Sequence, residues 1–128
     1  MIYCLDTSIV IAIFRGDEDL RKKISSLEDG SIFITWITLC ELYKGAYLSI
    51  KAKENIQAIQ LFLSSYDTLD FNDEACRIFG EEYARLKKTG IMTQEPDLMI
   101  ASIANAHDAV IVTRNKKHFE HIAKVIEW

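Results

Sequence analysis

Residues 96–113 read PDLMIASIANAHDAVIVT, and two elements lie in them end to end. Pro96 suits the first position of a helix, where its missing N–H costs nothing. That helix is expected to run to His107. Ala109 to Val112 is then a short apolar run without alternation, the pattern of a strand covered on both faces. Asp97 falls in the first turn of the helix, and Ala101 and Ala104 lie on its face, small enough to let it approach a sheet closely. A helix that feeds a buried strand is the unit from which parallel sheets are built.

The same alternation extends toward both ends of the chain. Residues 1–8, MIYCLDTS, give a strand followed by Asp6, Thr7 and Ser8, any of which can cap a helix begun at Ile9. Gly16-Asp17 opens a charged amphipathic helix to about Asp29, with Gly30 as its C-cap. Residues 31–36, SIFITW, form a second strand. Thr38 can cap the next helix, whose apolar positions Leu39, Leu42, Tyr43, Ala46 and Ile50 follow helical spacing. Residues 54–65 make another helix, and residues 66–71, YDTLDF, a third strand. Asn72 starts the clearest helix: Phe71 and Cys76 are placed for a hydrophobic staple, and Ala75, Phe79, Tyr83 and Leu86 form its stripe. Gly90 ends it after Lys87-Lys88. Residues 124–126 can add a further strand. The expectation is an α/β chain: one domain over residues 1–128, with helices on both sides of a central parallel sheet of four to five strands.

Bulk composition narrows the class. With 128 residues, 49% hydrophobic and 27% charged, the chain has ordinary globular composition and enough length for a real core. No window approaches the roughly 18 apolar residues a membrane span needs, and Asp6 interrupts the N-terminal apolar run, which has no basic region before it. Cys4, Cys40 and Cys76 sit in apolar runs without a CxxC pair, so three buried reduced thiols in a cytoplasmic protein are expected. A net charge of −4 argues mildly against nucleic acid, where phosphate neutralisation dominates binding. A nuclease that uses divalent metal partly escapes this objection, because cations cover its carboxylates at work.

Ligands of open parallel sheets bind beyond the carboxyl ends of the strands. Asp6 ends the first strand, Glu41 lies early in the helix after the second, and Asp97 starts the helix feeding the fourth. Three carboxylates can therefore meet at one edge. Such charges repel and lose water unless a cation compensates, and oxygen-only ligands suit Mg²⁺ or Mn²⁺ rather than zinc. Each residue also has a plainer role: Asp6 as a helix cap, Glu41 as a solvated helix residue, Asp97 as a partner of the helix dipole. His107 suits a helix C-terminus. His118 and His121 lie one turn apart but lack the further ligands zinc requires. Lys116-Lys117 lies near the same edge.

At this point the residues resemble a known family. LDTSIVIA, the ITLCELYKGA helix with Glu41 followed four residues later by Gly45, and PDLMIASIANAHDAVIVTRNKKHF are similar, in order and over the whole chain, to PIN domains. The likeness is closest to the VapC-type toxin ribonucleases of prokaryotic toxin–antitoxin pairs. The resemblance implies a three-layer PIN-like α/β/α fold, Mg²⁺-dependent RNA cleavage with Mn²⁺ as substitute, a homodimer and a cognate antitoxin. It carries the family's catalytic acids onto Asp6, Glu41 and Asp97, with Asp6 and Asp97 the main metal ligands and Glu41 acting directly or through water. Thr113 and Asn115 fall where the family has polar supporting residues. Ser8 stands where many members have asparagine, and His118 where many have a fourth acid. His118 either points into the site or only helps position the loop from Thr113 to Asn115.

Other readings remain open on the sequence. Haloacid-dehalogenase-like phosphatases use an aspartate like Asp6 but need a second two residues on, where Ser8 stands. A non-catalytic α/β module docking a basic peptide at the acidic edge is another alternative. So is an RNA- or DNA-processing PIN nuclease outside any toxin–antitoxin pair.

Overall fold

The computed structural model describes residues 1–128. Its five strands are β1 (Ile2–Leu5), β2 (Ile32–Thr35), β3 (Asp67–Leu69), β4 (Ala109–Thr113) and β5 (Val125–Glu127). They alternate with six helices, α1 (Thr7–Phe14), α2 (Glu18–Ser25), α3 (Trp36–Leu48), α4 (Ala52–Leu63), α5 (Asp73–Thr89) and α6 (Glu95–Ala106). A 3₁₀ turn at Lys116–His118 precedes β5. Every strand pair is parallel, in the order β3-β2-β1-β4-β5. The expected α/β/α sheet is observed, with five strands.

Alternation along the strands makes two cores. Leu5, Ile34 and Val112 face one side and pack with Ile9, Leu20, Leu42 and Ile59 of α1 to α4. Cys4, Ala109 and Ile111 face the other and pack with Leu86 of α5 and with Leu98, Ala101 and Ala104 of α6. Ala101 and Ala104 are fully buried, as the close approach of α6 requires. Asn72 caps α5 through its side chain, and Gly90 ends that helix at φ 74°, where a side chain would be strained.

β1 occupies the middle of the sheet, paired with β2 on one side and β4 on the other. The strand order reverses around it, and that reversal opens a crevice at the carboxyl end of β1. Asp6 is the residue in that crevice.

Several local expectations are corrected. Helix α1 begins at Thr7 rather than Ile9, and α3 begins at Trp36, capped by Thr35 whose side chain accepts from the Thr38 N–H. Helix α2 stops at Ser25, and Gly30, at φ 76°, belongs to the turn before β2. Ile50 lies beyond the end of α3 and is fully exposed, so it adds nothing to that helix's buried stripe. Only Cys4 of the three thiols is buried. Cys40 neighbours Leu39 in sequence but turns about 100° away from the inward stripe, and Cys76 does the same beside Ala75. The staple between Phe71 and Cys76 therefore does not form; Phe71 packs into the core without it.

Candidate active site

Asp6 sits one residue past β1 and is only 6% exposed. Its N–H donates to the Val112 carbonyl of β4 at 2.9 Å, which continues the sheet by one bond and fixes the residue at the crevice. Its backbone holds the N-cap position of α1, yet its side chain caps nothing. The carboxylate instead accepts from Thr113 Oγ1 at 2.8 Å and Ser8 Oγ at 3.0 Å, both on Oδ2. One oxygen is thereby held by the protein and Oδ1 is left for another partner. Buried carboxylates need such compensation, since desolvation without it is costly.

Thr113 is fully buried at the end of β4, and its hydroxyl also accepts from the Asn115 N–H at 3.0 Å. Asn115 contributes through its backbone; its exposed side chain makes no hydrogen bond. Glu41, half-buried in the second turn of α3, accepts a 2.7 Å hydrogen bond from Thr7 Oγ1. Thr7 Oγ1 lies 3.4 Å from Thr38 Oγ1, which lies 3.4 Å from Thr35 Oγ1. This chain of hydroxyls connects Glu41 to the end of β2.

Asp97 occupies the first turn of α6 with its side chain 17% exposed. Burial raises its carboxyl above the ordinary aspartate range, and repulsion from Asp6 and Glu41 adds to the rise, against a lowering by His118. His118 Nδ1 stands 3.2 Å from Asp97 Oδ2, so the imidazole touches the site. Two residues before Asp6, the Cys4 thiol is pushed up to about 12, by burial first and by the Asp6 charge second. It stays protonated and unsuited to metal or nucleophilic work.

The three acids thus share one electrostatic environment at the carboxyl edge of the sheet. No three histidine, cysteine or carboxylate side chains stand close enough together to hold a metal ion in this conformation. The donor set nonetheless fits a hard dication: carboxylate oxygens with mutual repulsion to relieve, and a free Oδ1 on Asp6. A zinc site would need the closed nitrogen or sulfur set that is absent here. Sequence reasoning missed the roles of Thr7 and Ser8. Their place beside Asp6 marked them as caps, and only the register of β1 against β4 brings Ser8 and Thr113 onto one carboxylate.

Comparisons with known proteins give the family. The PIN domain family model matches residues 3–125. Ribonuclease VapC2 of Rickettsia felis is 35% identical over 128 residues, 98% of this chain and 96% of that protein. The tRNA(fMet)-specific endonuclease VapC of Shigella flexneri is 32% identical over 120 residues, 94% and 91% of the two chains. Among solved structures, the VapBC2 complex from Rickettsia felis bound to a DNA fragment from its promoter superposes with a TM-score of 0.92. It is 31% identical, and the match covers 100% of this chain and 99% of that one. With the same fold from end to end and the acids of the resemblance gathered at one sheet edge, this chain belongs to the PIN domain family, in its VapC-type branch.

Proposed function

We propose that this chain, acting as one domain over residues 1–128, is a Mg²⁺-dependent endoribonuclease and the toxin of a toxin–antitoxin pair. The observation that carries this reading is the convergence of Asp6, Glu41 and Asp97, with Asp6 braced by Thr113 and Ser8. Asp6 and Asp97 hold the metal, and Glu41 contributes directly or through water. Bound there, a divalent cation would polarise the phosphodiester and lower the pKa of an attacking water.

The chain's own residues supply the rest. Thr113 and Ser8 keep the Asp6 carboxylate in one orientation, so that binding a cation costs little reordering. Thr7 does the same for Glu41. Asn115 acts through its N–H to Thr113, and its side chain stands free at the rim. Manganese substitutes for magnesium.

Three partners follow: RNA as substrate, a second copy of this chain, and an antitoxin. The exposed Trp36, Tyr47 and Leu48 of α3 supply apolar surface for a homodimer. A groove of about 320 Å³, lined by Ile11, Phe14, Leu42 and Ile59, opens on Glu41. It suits an antitoxin segment that buries apolar side chains and sets an arginine or lysine against the acids. No helix is long and apolar enough to cross a membrane, and the activity belongs in the cytoplasm.

Incubating the purified chain with RNA in Mg²⁺, in Mn²⁺ and in EDTA tests the reading. Cleavage with either metal and none in EDTA is expected. Overexpression should arrest growth, and Asp6→Ala should relieve the arrest. Equal toxicity of the two forms, or cleavage indifferent to chelation, refutes it.

A further inference from the structure

Beside the acid cluster lies a second cleft, of about 520 Å³, whose wall includes Ser8, Arg15, Asp17, Arg114 and Asn115. It is joined to the site by one side chain. Ser8 Oγ donates to the Asp6 carboxylate at 3.0 Å and accepts from the Arg114 N–H at 3.2 Å. The backbone of Arg114 is therefore two hydrogen bonds from Asp6. We propose that this cleft, with Arg15 and Arg114 as its cations, is a phosphate subsite that holds the RNA strand beside the bond being cut. The inference rests on the ribonuclease reading and adds where the strand lies.

Charge carries the argument. The chain is net negative by four, so a polyanion meets overall repulsion and gains only where cations stand together and free to reach it. Arg15 is exposed at the C-terminal end of α1 and has no ion-pair partner. Gly16, at φ 84°, turns the chain immediately after it, so Arg15 and Asp17 both reach the same cleft. Arg114 pairs with Asp17, which also caps α2 through the Leu20 N–H. An exposed ion pair of this kind contributes little to stability, so bracing the fold does not account for it well. It does aim the guanidinium: one edge is held by Asp17 while the remaining N–H donors stay free for phosphate oxygens. An acidic peptide could offer similar charge, but a carboxylate segment would have to pass the repelling acids next door. A nucleic acid would meet those acids through the cation that Asp6 and Asp97 would hold.

Salt-dependent binding of single-stranded RNA, measured by fluorescence anisotropy on the Asp97→Asn protein, tests this without cleavage. Arg15→Gln and Arg114→Gln should each weaken binding several-fold and reduce the slope of log K against log salt by about 0.7, the value for one phosphate contact on a single strand. Arg77→Gln, on the distant face of α5, should change neither. Asp17→Asn separates aiming from bracing, since asparagine is an equally good helix cap. It removes the carboxylate that aims Arg114 and keeps the cap, so it should weaken RNA binding less than Arg114→Gln does, with an unchanged melting temperature; a loss as large as in Arg114→Gln together with a lowered melting temperature would mean that the pair only braces the fold. Slopes unchanged by Arg15→Gln and Arg114→Gln overturn the subsite and leave the cleft to a protein partner. That result is distinct from failure of the ribonuclease reading itself, in which wild type leaves RNA intact in Mg²⁺ and Mn²⁺.

Discussion

The two ends of the sheet both carry acids, yet only one is organised. At the amino end of β2, Glu28, Asp29 and Asp67 line a cleft of about 440 Å³ together with Tyr66 and Leu27. All three carboxylates are exposed, and no side-chain hydrogen bond or ion pair restrains them. At the carboxyl end, Asp6 is buried, two hydroxyls grip one of its oxygens, and a third hydroxyl grips Glu41. Asp97 is held above its ordinary range there, by burial first and by its acidic neighbours next. Counting acids does not separate the two ends. Desolvation and directed donors do, because only a buried, oriented carboxylate gains much from a cation.

The comparison breaks most directly under removal of one charge at each end. Asp97→Asn should lower RNA cleavage by several orders of magnitude while the protein stays folded, whereas Asp29→Asn and Asp67→Asn should leave the rate within about twofold, as surface changes usually do. A wild-type rate in purified Asp97→Asn would return the two ends to equal standing.

Thr113→Val sharpens the comparison by keeping every charge and removing one donor. The Asp6 carboxylate then keeps only Ser8, and losing a hydroxyl that orients a metal-holding carboxylate costs about 10- to 100-fold in metal affinity or activity. Ser65→Ala at the amino-end cleft should cost nothing measurable. Metal titration of cleavage rate reads both variants, and a Thr113→Val curve that overlays wild type would show the hydroxyl to be incidental.

Much of this asymmetry was legible in the sequence. Asp6 directly after a strand, and Asp97 in the turn that opens an alanine-faced helix, are local patterns, and both residues sit where those patterns put them. The bracing was not legible, because Ser8 and Thr113 are 105 positions apart and meet only through the parallel pairing of β1 with β4. Thr38 illustrates the same limit. It looked like a cap from its neighbours, but the strand ends at Thr35, which takes the cap and leaves Thr38 in the hydroxyl chain behind Glu41. The exposed Cys40 and Cys76 show that an apolar run does not say which way a helix turns each of its members.

Thermal stability with metal gives a smaller effect. Millimolar Mg²⁺ or Mn²⁺ should raise the Tm of wild type by several degrees, since a ligand at about 100 times its Kd stabilises by about 2.7 kcal/mol. Asp29→Asn should respond as wild type does, and Asp6→Asn and Asp97→Asn should respond little. An equal response in all four proteins would place the binding cation elsewhere.

The smallest effect is the most diagnostic of strain in the metal-free site. A carboxyl whose folded pKa is raised binds its proton more tightly in the folded state than in the unfolded one, so it favours folding as pH falls and opposes folding once charged. Asp6, Glu41 and His118 act on the Asp97 charge, and Lys117 and His121 line the same cleft. In EDTA, Asp97→Asn should therefore be slightly more stable than wild type above the raised pKa, by a few degrees at most. The gain should fade below the ordinary aspartate range, where wild type is protonated in both states. The lost contact with His118 works in the opposite direction, and the advantage is expected to be clearest where the Asp97 carboxyl is charged in both the folded and the unfolded protein. Asp67→Asn at the amino end, an exposed carboxylate whose acidic neighbours are screened by water, should show no such gain. Unfolding midpoints across pH for the three metal-free proteins decide the matter: a neutral-pH loss of stability in Asp97→Asn would mean that the acids are already compensated without a cation.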